Sequence, residues 1–328
     1  MQQALGTAEL GDLYEAFDQR PELTSLDLSP LVEEFFPTSR YRNLELDVLR
    51  LDKVHPFISG NKWFKLKHHL LAAYASEHNH VLSFGGPYSN HLHALAFAGK
   101  HYGFKTTAIV RGHEPAPEHL SPTLKDCLSW GMNLSWMNRQ DYRRFAVAGN
   151  VSAVQSLYPD AYIVPEGGEG QAGLQGMREL MERFFDELDE GYDLIVTPVG
   201  SGTTMAGILA AAPVRQRVVG VSALKGAFDL SDRVEQYLPR RNVNDIEIWH
   251  DYHQGGFAKM TPLLQRFISE VHQRFGVLLD PIYTGKAMYA LVHKFAHHKL
   301  EDDVRALLLH TGGLQGWRGY SSDSTKES

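Results

Sequence analysis

A lysine that follows a tight polar turn is the residue of this chain best suited to covalent chemistry. Residues 59–61 read Ser-Gly-Asn, and a run of helix formers starts at Lys62 and ends near Tyr74. The positive end of a helix dipole opposes a cation in the first turn, and burial opposes it further, so we expect a lowered pKa for Lys62. A neutral amine at this place is a nucleophile. Lys65 and Lys67 are expected to be solvated lysines of the same amphipathic helix.

Three further turns share one construction, in which an apolar strand passes through small residues into a helix. Residues 85–90 are Gly-Gly-Pro-Tyr-Ser-Asn, residues 200–204 are Gly-Ser-Gly-Thr-Thr, and residues 310–313 are His-Thr-Gly-Gly. In a parallel sheet such turns lie at the carboxyl ends of strands, where ligands bind, and the free N–H groups of the following helices form anion sites. Two anion loops and a lysine at a helix start indicate a ligand with two anionic ends.

Other cofactor and metal motifs fit the chain less well. Residues 168–173 match the dinucleotide pattern Gly-x-Gly-x-x-Gly, but the acidic residue about twenty positions later, Asp193, opens a strand instead of ending one. The phosphate-loop pattern is absent, because Ala287 follows Gly285 and Lys286 where a hydroxyl is needed. The seventeen histidines include no His-Glu-x-x-His pattern, so we predict no metal site.

Composition indicates an ordinary globular protein and excludes several other classes. The chain has 328 residues, of which 43% are hydrophobic and 22% charged. A net charge of −7 argues against a nucleic-acid partner, and no apolar stretch reaches the roughly 18 residues of a membrane span. Cys127 is the single cysteine, and residues 1–28 lack the apolar core of a signal peptide. We therefore expect a soluble cytoplasmic protein, long enough for two domains.

Short apolar runs alternate with helical segments from residue 81 onward, which predicts parallel strands joined by right-handed crossovers. The predicted strands are 44–51, 81–84, 107–110, 134–137, 162–164, 194–199, 218–222 and 307–310. The predicted helices, besides the one that begins at Lys62, are 89–102, 122–131, 140–157, 204–212, 260–275 and 285–298. We expect irregular structure over 1–40 apart from an amphipathic segment at 10–17, a lid or wall over 223–258, and disorder over 321–328.

Five stretches in a fixed order carry a resemblance to a known family: residues 59–62, 85–90, 200–204, 280–286 (Asp-Pro-Ile-Tyr-Thr-Gly-Lys) and 310–313. The chain resembles the pyridoxal-phosphate enzymes of the tryptophan-synthase-β fold, and among them the 1-aminocyclopropane-1-carboxylate deaminase and D-cysteine desulfhydrase family. The resemblance implies an α/β protein of fold type II, with two domains of open, parallel-rich sheets and the cofactor between them. It also implies a homodimer. The implied large domain spans 1–71 plus 161–328, and the small domain spans 72–160.

The resemblance assigns roles to single residues. Lys62 matches the lysine that binds pyridoxal 5′-phosphate covalently, and Asn90 matches the asparagine that hydrogen-bonds the ring oxygen. Ser89 matches a serine at the substrate, and Tyr283 matches a tyrosine that faces the substrate and moves protons. Lys62, Ser89 and Tyr283 are thus the implied catalytic residues, and Thr284 falls at the position that faces the pyridine nitrogen. The implied phosphate-binding residues are Ser201, Gly202, Thr203 and Thr204.

The chain also departs from the family pattern. His91, which follows Ser89 and Asn90 in the implied substrate-binding set, stands where the family often has glutamine. Phe257 is the aromatic residue nearest to the place of a second active-site tyrosine of the deaminases, and it has no proton to move. Residues 111–120 lack the longer, tryptophan-bearing loop of that branch.

The implied reaction is β-elimination on a small amino-acid substrate, such as the release of sulfide, ammonia and pyruvate from D-cysteine. Opening a cyclopropane needs a protonated ring, which the glutamate of the deaminase branch stabilises, whereas the hydroxyl of Thr284 suits a neutral nitrogen. Thr311, the last implied substrate-binding residue, resembles the desulfhydrase branch, where the deaminases have leucine. A 1-aminocyclopropane-1-carboxylate deaminase and a catalytically silent cofactor-binding protein remain alternatives, and an amidase or a nucleotide-binding protein is a remote third.

Overall fold

The structure is a computed structural model, and it describes residues 20–39, 45–147, 151–188, 190–213, 216–238, 246–297, 300 and 304–320. The strands are β1 (Glu22–Asp27), β2 (Glu45–Arg50), β3 (His80–Gly85), β4 (Lys105–Arg111), β5 (Asn133–Met137), β6 (Ala161–Val164), β7 (Leu194–Val199), β8 (Arg217–Ser222), β9 (Glu247–Trp249) and β10 (Ala306–His310). The helices are α1 (Ser29–Phe35), α2 (Asn61–Ala75), α3 (Asn90–Tyr102), α4 (Pro122–Ser129), α5 (Arg139–Tyr142), α6 (Val151–Leu157), α7 (Gln171–Asp186), α8 (Thr203–Ala211), α9 (Leu230–Glu235), α10 (Pro262–Phe275) and α11 (Thr284–Ala296).

The chain forms two compact units, each built on one sheet. The four-stranded unit contains His55–Gly176, and the six-stranded unit contains Pro21–Val54 and Met177–Trp317. These divisions place α2 and Lys62 with the smaller sheet. The domain bounds expected from the resemblance differ from them and stay a prediction.

The sheet of the four-stranded unit is parallel throughout, in the order β5-β4-β3-β6. Its order is that of a doubly wound sheet, in which the turn after each strand reaches the same edge. The core of this unit includes Leu82, Phe84, Ile109, Tyr142, Val154 and Ala161.

The sheet of the six-stranded unit has the order β1-β2-β10-β7-β8-β9. β1 runs antiparallel to β2, and the other pairs are parallel. The inner strands β7 and β10 are buried at every residue, as a sheet covered on both faces requires. The prediction of parallel strands joined by crossover helices is confirmed.

Every predicted strand overlaps an observed one, and the differences lie in elements with weak patterns. β1 was not predicted because it is a polar edge strand without a regular apolar alternation. Leu26 is its one buried residue. α7 went unpredicted because Gly173 and Gly176 lower its helix propensity. A Cβ on Gly176 would lie 1.9 Å from the carbonyl oxygen of Phe64, so glycine is needed where α7 packs on α2.

Two predicted segments differ from the observed structure, one being more broken and the other more regular than expected. The helix predicted over 140–157 is instead α5, a π-helical turn over Arg143–Val147, and α6. The segment 223–258, predicted to be irregular, contains the short elements α9 and β9. The predictions for 10–17 and 321–328, and parts of those for 1–40, 44–51, 140–157, 223–258 and 285–298, lie outside the described residues.

Candidate active site

Lys62 is the second residue of α2, so the prediction that it stands in the first helical turn is confirmed. Gly60 caps the helix with φ 69° and ψ −147°, a conformation that favours glycine. Burial lowers the pKa of Lys62 from 10.5 to about 8, and the carboxylate of Glu169 opposes that shift in part. About a tenth of the molecules therefore carry a neutral amine here at pH 7, against fewer than one in a thousand for an ordinary lysine.

The prediction that Lys65 is a solvated lysine is wrong, because its side chain is only 2% exposed. α2 is buried around most of its circumference and not along one stripe. Lys62 and Lys65 are three residues apart, so they lie on neighbouring parts of the helix surface. Burial and the charge of Lys62 hold the pKa of Lys65 well below its usual value, while Glu169 acts in the opposite direction. The carboxylate of Glu169 thus acts on two lysines, the partly buried Lys62 and the buried Lys65.

The turn before α3 is built as the sequence predicted. Ser89 caps the helix, and its Oγ accepts the N–H of Leu92 at 3.2 Å. This leaves the hydroxyl hydrogen of Ser89 for another acceptor. A Cβ on Gly85 would lie 2.7 Å from both Leu92 and Ser89 side-chain atoms, so the turn is too tight for any other residue. Asn90 is the first residue of α3 and is partly buried.

His91 is a buried neutral histidine with a determined tautomer. Its Nε2 lies 2.8 Å from Oγ of Ser83, whose own hydrogen is donated to the carbonyl of Val164 at 2.8 Å. Nε2 therefore carries the ring hydrogen, and Nδ1 presents a lone pair. Nδ1 is buried and has no hydrogen-bond partner among the described residues. Burial, followed by the charge of Lys62, keeps the pKa of His91 well below its usual value. The ring can accept a hydrogen bond, but it carries no charge.

In the six-stranded unit, the loop after β7 leads into α8 with the construction of an anion-binding loop. Gly202 caps α8 with φ 93°, and Thr203 and Thr204 begin the helix in buried positions. A Cβ on Gly202 would lie 3.1 Å from Cγ2 of Val234, which is a tight contact, and the positive φ favours glycine. Ser201 Oγ and Thr203 Oγ1 are 3.5 Å apart. The free N–H groups of a helix start and several hydroxyls suit a phosphate.

The ring of Tyr283 lies between this loop and Phe257. A Cβ on Gly200 would be 3.1 Å from Cε1 of Tyr283. On the other side, the rings of Phe257 and Tyr283 are 6.2 Å apart at an interplanar angle of 66°. Phe257 therefore lies beside Tyr283, and it is 48% exposed.

Thr284 begins α11 and is bound to Asp280. The carboxylate of Asp280 accepts the main-chain N–H groups of Ile282, Tyr283 and Thr284 at 2.7–2.9 Å, and it also accepts the Thr284 hydroxyl. The Thr284 oxygen in turn accepts the N–H of Asp280 at 2.9 Å. Asp280 thus satisfies the main-chain N–H groups at the start of α11, whose N-cap residue is Tyr283, and the single hydroxyl hydrogen of Thr284 is already donated. The hydroxyl can pair with a second acceptor only by turning away from Asp280.

Thr311 follows β10 in a turn that His310 holds. Nε2 of His310 donates to the carbonyl of Leu278 at 2.7 Å, and Nδ1 accepts the N–H of Gly312 at 3.2 Å. These two hydrogen bonds hold the turn after β10 in place. Thr311 is 8% exposed at the carboxyl end of the strand.

Sequence reasoning missed Ser83, Glu169, Asp280 and Lys286 as residues that support the candidate site. Asp280 alone gave a signal, because an aspartate shortly before a helix start is a capping residue. The other three depend on contacts that no local pattern encodes. Among the described residues, no group of His, Cys, Asp or Glu side chains is arranged to hold a metal ion, and no helix is long and apolar enough to cross a bilayer.

Comparisons with known proteins agree with the resemblance. A family model described as "Pyridoxal-phosphate dependent enzyme" matches residues 37–312. A bifunctional D-cysteine desulfhydrase/1-aminocyclopropane-1-carboxylate deaminase of Arabidopsis thaliana is 28% identical and covers 83% of this chain and 73% of its own. A D-cysteine desulfhydrase of Salmonella paratyphi B is 25% identical, with 89% and 94% covered. A solved structure of an ACC deaminase homologue has a TM-score of 0.77 and 23% identity, and it covers 99% of each chain. This last likeness shows the fold.

Proposed function

Because the chain belongs to the family of pyridoxal-phosphate-dependent enzymes, we propose that it catalyses β-elimination from a small amino acid, with D-cysteine or a related β-substituted amino acid as substrate. The α-proton is removed, the β-substituent leaves with its bonding electron pair, and the remaining enamine takes up water to give pyruvate and ammonia. Pyridoxal phosphate, when bound, supplies the electron sink for negative charge at the α-carbon. The protein supplies binding, orientation and proton transfer.

The residues suit both the aldehyde and the phosphate of this cofactor. The buried amine of Lys62 suits an aldehyde, because its lowered pKa leaves a neutral fraction at pH 7. The cradle of Ser201, Gly202, Thr203 and Thr204 suits a phosphate dianion, and the φ of 93° at Gly202 is needed to aim the helix start at it. We assign Asn90 to the ring oxygen.

The proposed substrate contacts follow from hydrogen-bonding capacity. Ser89 offers its hydroxyl hydrogen at the N-terminus of α3, where the first main-chain N–H groups attract a carboxylate. His91 offers a neutral acceptor to a substrate N–H, because Ser83 fixes its other nitrogen as a donor. Tyr283 is the proposed general acid/base. Thr311 completes the set at the carboxyl end of β10.

The observation that carries the proposal is the neutral side chain of Thr284 at the start of α11. A ring nitrogen set against Thr284 would face the positive end of the helix dipole, which disfavours a proton on it. The carboxylate of Asp280 already accepts four hydrogen bonds at the helix start, so it has no acceptor site left for a protonated ring nitrogen. A neutral ring is the weaker sink, and expulsion of sulfide demands less of it than the opening of a cyclopropane.

The test compares products from the two substrates. The wild type is expected to release sulfide and pyruvate from D-cysteine and little or no 2-oxobutanoate from 1-aminocyclopropane-1-carboxylate; L-cysteine is measured alongside to read handedness. Thr284→Glu should raise the ratio of turnover of 1-aminocyclopropane-1-carboxylate to turnover of D-cysteine. Thr284→Gln, which has the size of glutamate and no charge, should not raise it. Comparable wild-type turnover of the cyclopropane would overturn the proposal in favour of the deaminase.

The silent alternative has its own signature. A loaded protein that binds the cofactor but shows no change in its visible band with any D- or L-amino acid would be a cofactor-binding protein without this activity. Phe257 and the short 111–120 segment are the features that motivate that alternative.

We further propose a homodimer in the cytoplasm, and both proposals rest on the family resemblance, the charge balance and the single cysteine. Cys127 is buried, and burial raises the pKa of its thiol to about 12, so it is kept as an unreactive thiol. Light scattering of the purified protein tests the dimer, and a mass of 36.9 kDa would contradict it.

A further inference from the structure

Lys286 is a fully buried cation that the proposed reaction does not use. It lies on α11, and its Nζ donates to the carbonyl of Gly256 at 2.8 Å and reaches the carbonyl of Ala223 at 3.5 Å. Burying an ammonium group is costly unless its donors are satisfied. Lys286 therefore ties two main-chain segments, one after β8 and one after β9, to the start of α11.

The segment after β9 has a strained backbone that contacts such as those of Lys286 stabilise. Gln254, Gly255, Gly256 and Ala258 all have positive φ, at 53°, 94°, 123° and 54°. A side chain at positive φ is strained, so Gln254 and Ala258 persist there only because surrounding contacts hold them. The carbonyl of Gly256, which Lys286 holds, also accepts the N–H of Lys259 at 3.1 Å.

The residue that this loop presents is Phe257. Its ring meets the ring of Tyr283 nearly edge-on, and about half of its surface stays open. A phenyl ring cannot form an ordinary hydrogen bond with a polar group that loses water beside it. An apolar group that packs against the ring is instead stabilised by the burial of its surface. The face of Tyr283 toward Phe257 is therefore flanked by an apolar wall.

We propose that Phe257, positioned by Lys286, selects substrates whose departing group is apolar, namely S-alkyl and S-benzyl derivatives of cysteine, over cysteine itself. This inference rests on the proposed function and on Tyr283 as its substrate-facing acid/base. The balanced reaction is R–S–CH2–CH(NH2)–COOH plus water, giving R–SH, pyruvate and ammonia. The Cβ–S bond breaks, and the thiolate leaves with the electron pair and then takes up a proton.

The first experiment measures kcat/KM for a series in which R is hydrogen, methyl, ethyl and benzyl. In the wild type we expect a rise of about fourfold for each methylene buried, from roughly 0.8 kcal/mol per methylene. Phe257→Ala removes the wall at a half-exposed position and should flatten the series. An unchanged slope in Phe257→Ala would overturn the inference.

Equilibrium binding of the same series, followed by tryptophan fluorescence of the loaded protein, separates this inference from the proposed function. Binding that tightens with R but gives no thiol from any member would defeat the proposed function and keep the apolar subsite. If every member is turned over but neither kcat/KM nor Kd depends on the size of R, the proposed function is supported and the apolar subsite is refuted.

The second experiment tests the positioning role of Lys286. Lys286→Met keeps an unbranched side chain one atom shorter than lysine and removes its donors. The matched control is Lys225→Met, at an exposed lysine whose Cβ is 3.4 Å from a Cβ placed on Gly256. Only Lys286→Met should speed amide hydrogen exchange over residues 253–259 and raise KM for the benzyl substrate more than it lowers kcat. Unchanged exchange and an unchanged KM would overturn the role of Lys286. If Lys286→Met fails to fold, Lys286→Gln, which restores a donor, is measured in its place.

Discussion

Replacing Gly202 with alanine is expected to weaken cofactor binding far more than it weakens the fold. Gly202 caps α8 with φ 93° and ψ −26°, so a Cβ is strained there before any contact is counted. The added Cβ would lie 3.1 Å from Cγ2 of Val234 and 3.6 Å from the main chain of Arg233. The main-chain contact is an ordinary one and the methyl group needs to give only a few tenths of an ångström, so the strain lies in the φ of residue 202 and is relieved by movement of the loop.

The substitution lowers the stability of the fold less than it lowers the affinity for the cofactor. A residue with a Cβ in the left-handed region costs about 1–2 kcal/mol, and this cost lowers the free energy of unfolding. Moving the loop also withdraws main-chain N–H groups from the phosphate, and each charge-assisted hydrogen bond contributes about 1.5–3 kcal/mol. The loss of one or two such bonds lowers affinity by roughly tenfold to a thousandfold or more, at about 1.4 kcal/mol per decade.

Gly276→Ala is the matched control. Gly276 is the C-cap of α10 in the same unit, with φ 68°, and a Cβ there meets nothing within 4 Å. Both variants should lose a similar free energy of unfolding in urea, while only Gly202→Ala should lose affinity in a cofactor titration followed by visible absorption. If Gly202→Ala kept the wild-type Kd, the phosphate would not be held by this loop, and the turn after Thr311 would be the next candidate.

Three further predictions follow from single side chains. Lys62→Ala should abolish the visible band of lysine-bound cofactor and Lys67→Ala should preserve it; borohydride reduction and peptide mapping that labelled another lysine would contradict this. The rate of cofactor capture should rise about tenfold per pH unit and level off near pH 8, because only the neutral amine of Lys62 reacts; a rise that continued to pH 10 would contradict the effect of burial. Asp280→Asn should lower the free energy of unfolding by about 2 kcal/mol or more in urea, because an amide replaces an acceptor of four hydrogen bonds; a loss below about 0.5 kcal/mol would show that the cap matters little.

The turns that build the candidate site could be predicted because local rules determine them. A buried parallel strand is a short apolar run, and its turn into a helix needs glycine and a capping residue, so Gly85 with Ser89 and Gly202 with Thr203 are visible in the sequence alone. Lys62 belongs to the same class, since Gly60 at positive φ both ends the turn and starts α2. The positions of these residues at strand ends then follow from the parallel sheets.

The burial of Lys65 could not be predicted, because its causes lie about a hundred residues away. Lysine at a helix position is nearly always solvated, and the pattern around it fits that expectation. What buries Lys65 is the segment that carries Gly168, whose Cβ position lies 3.3 Å from Cβ of Lys65, and the carboxylate that acts on it is that of Glu169. The tautomer of His91 has a similar origin, since Ser83 lies on the neighbouring strand and passes its hydrogen to Val164 on the next one.

Two interactions compete for the hydroxyl hydrogen of Thr284, one with the nearby Asp280 and one with the ring nitrogen of the cofactor. The family pattern sets its hydroxyl toward a ring nitrogen, whereas the capping rule gives its hydrogen to Asp280, and the structure has the second arrangement. A hydrogen bond to a carboxylate is stronger than one to a neutral nitrogen, so the hydroxyl gains little by turning away. Thr284 then affects the chemistry mainly by carrying no charge at the positive end of α11. A glutamate placed there would stand beside the Asp280 carboxylate, and the two like charges would raise the pKa of one of them. Thr284→Glu therefore has to overcome its neighbour before it can protonate a ring, and an Asp280→Asn background should increase its effect on the substrate ratio.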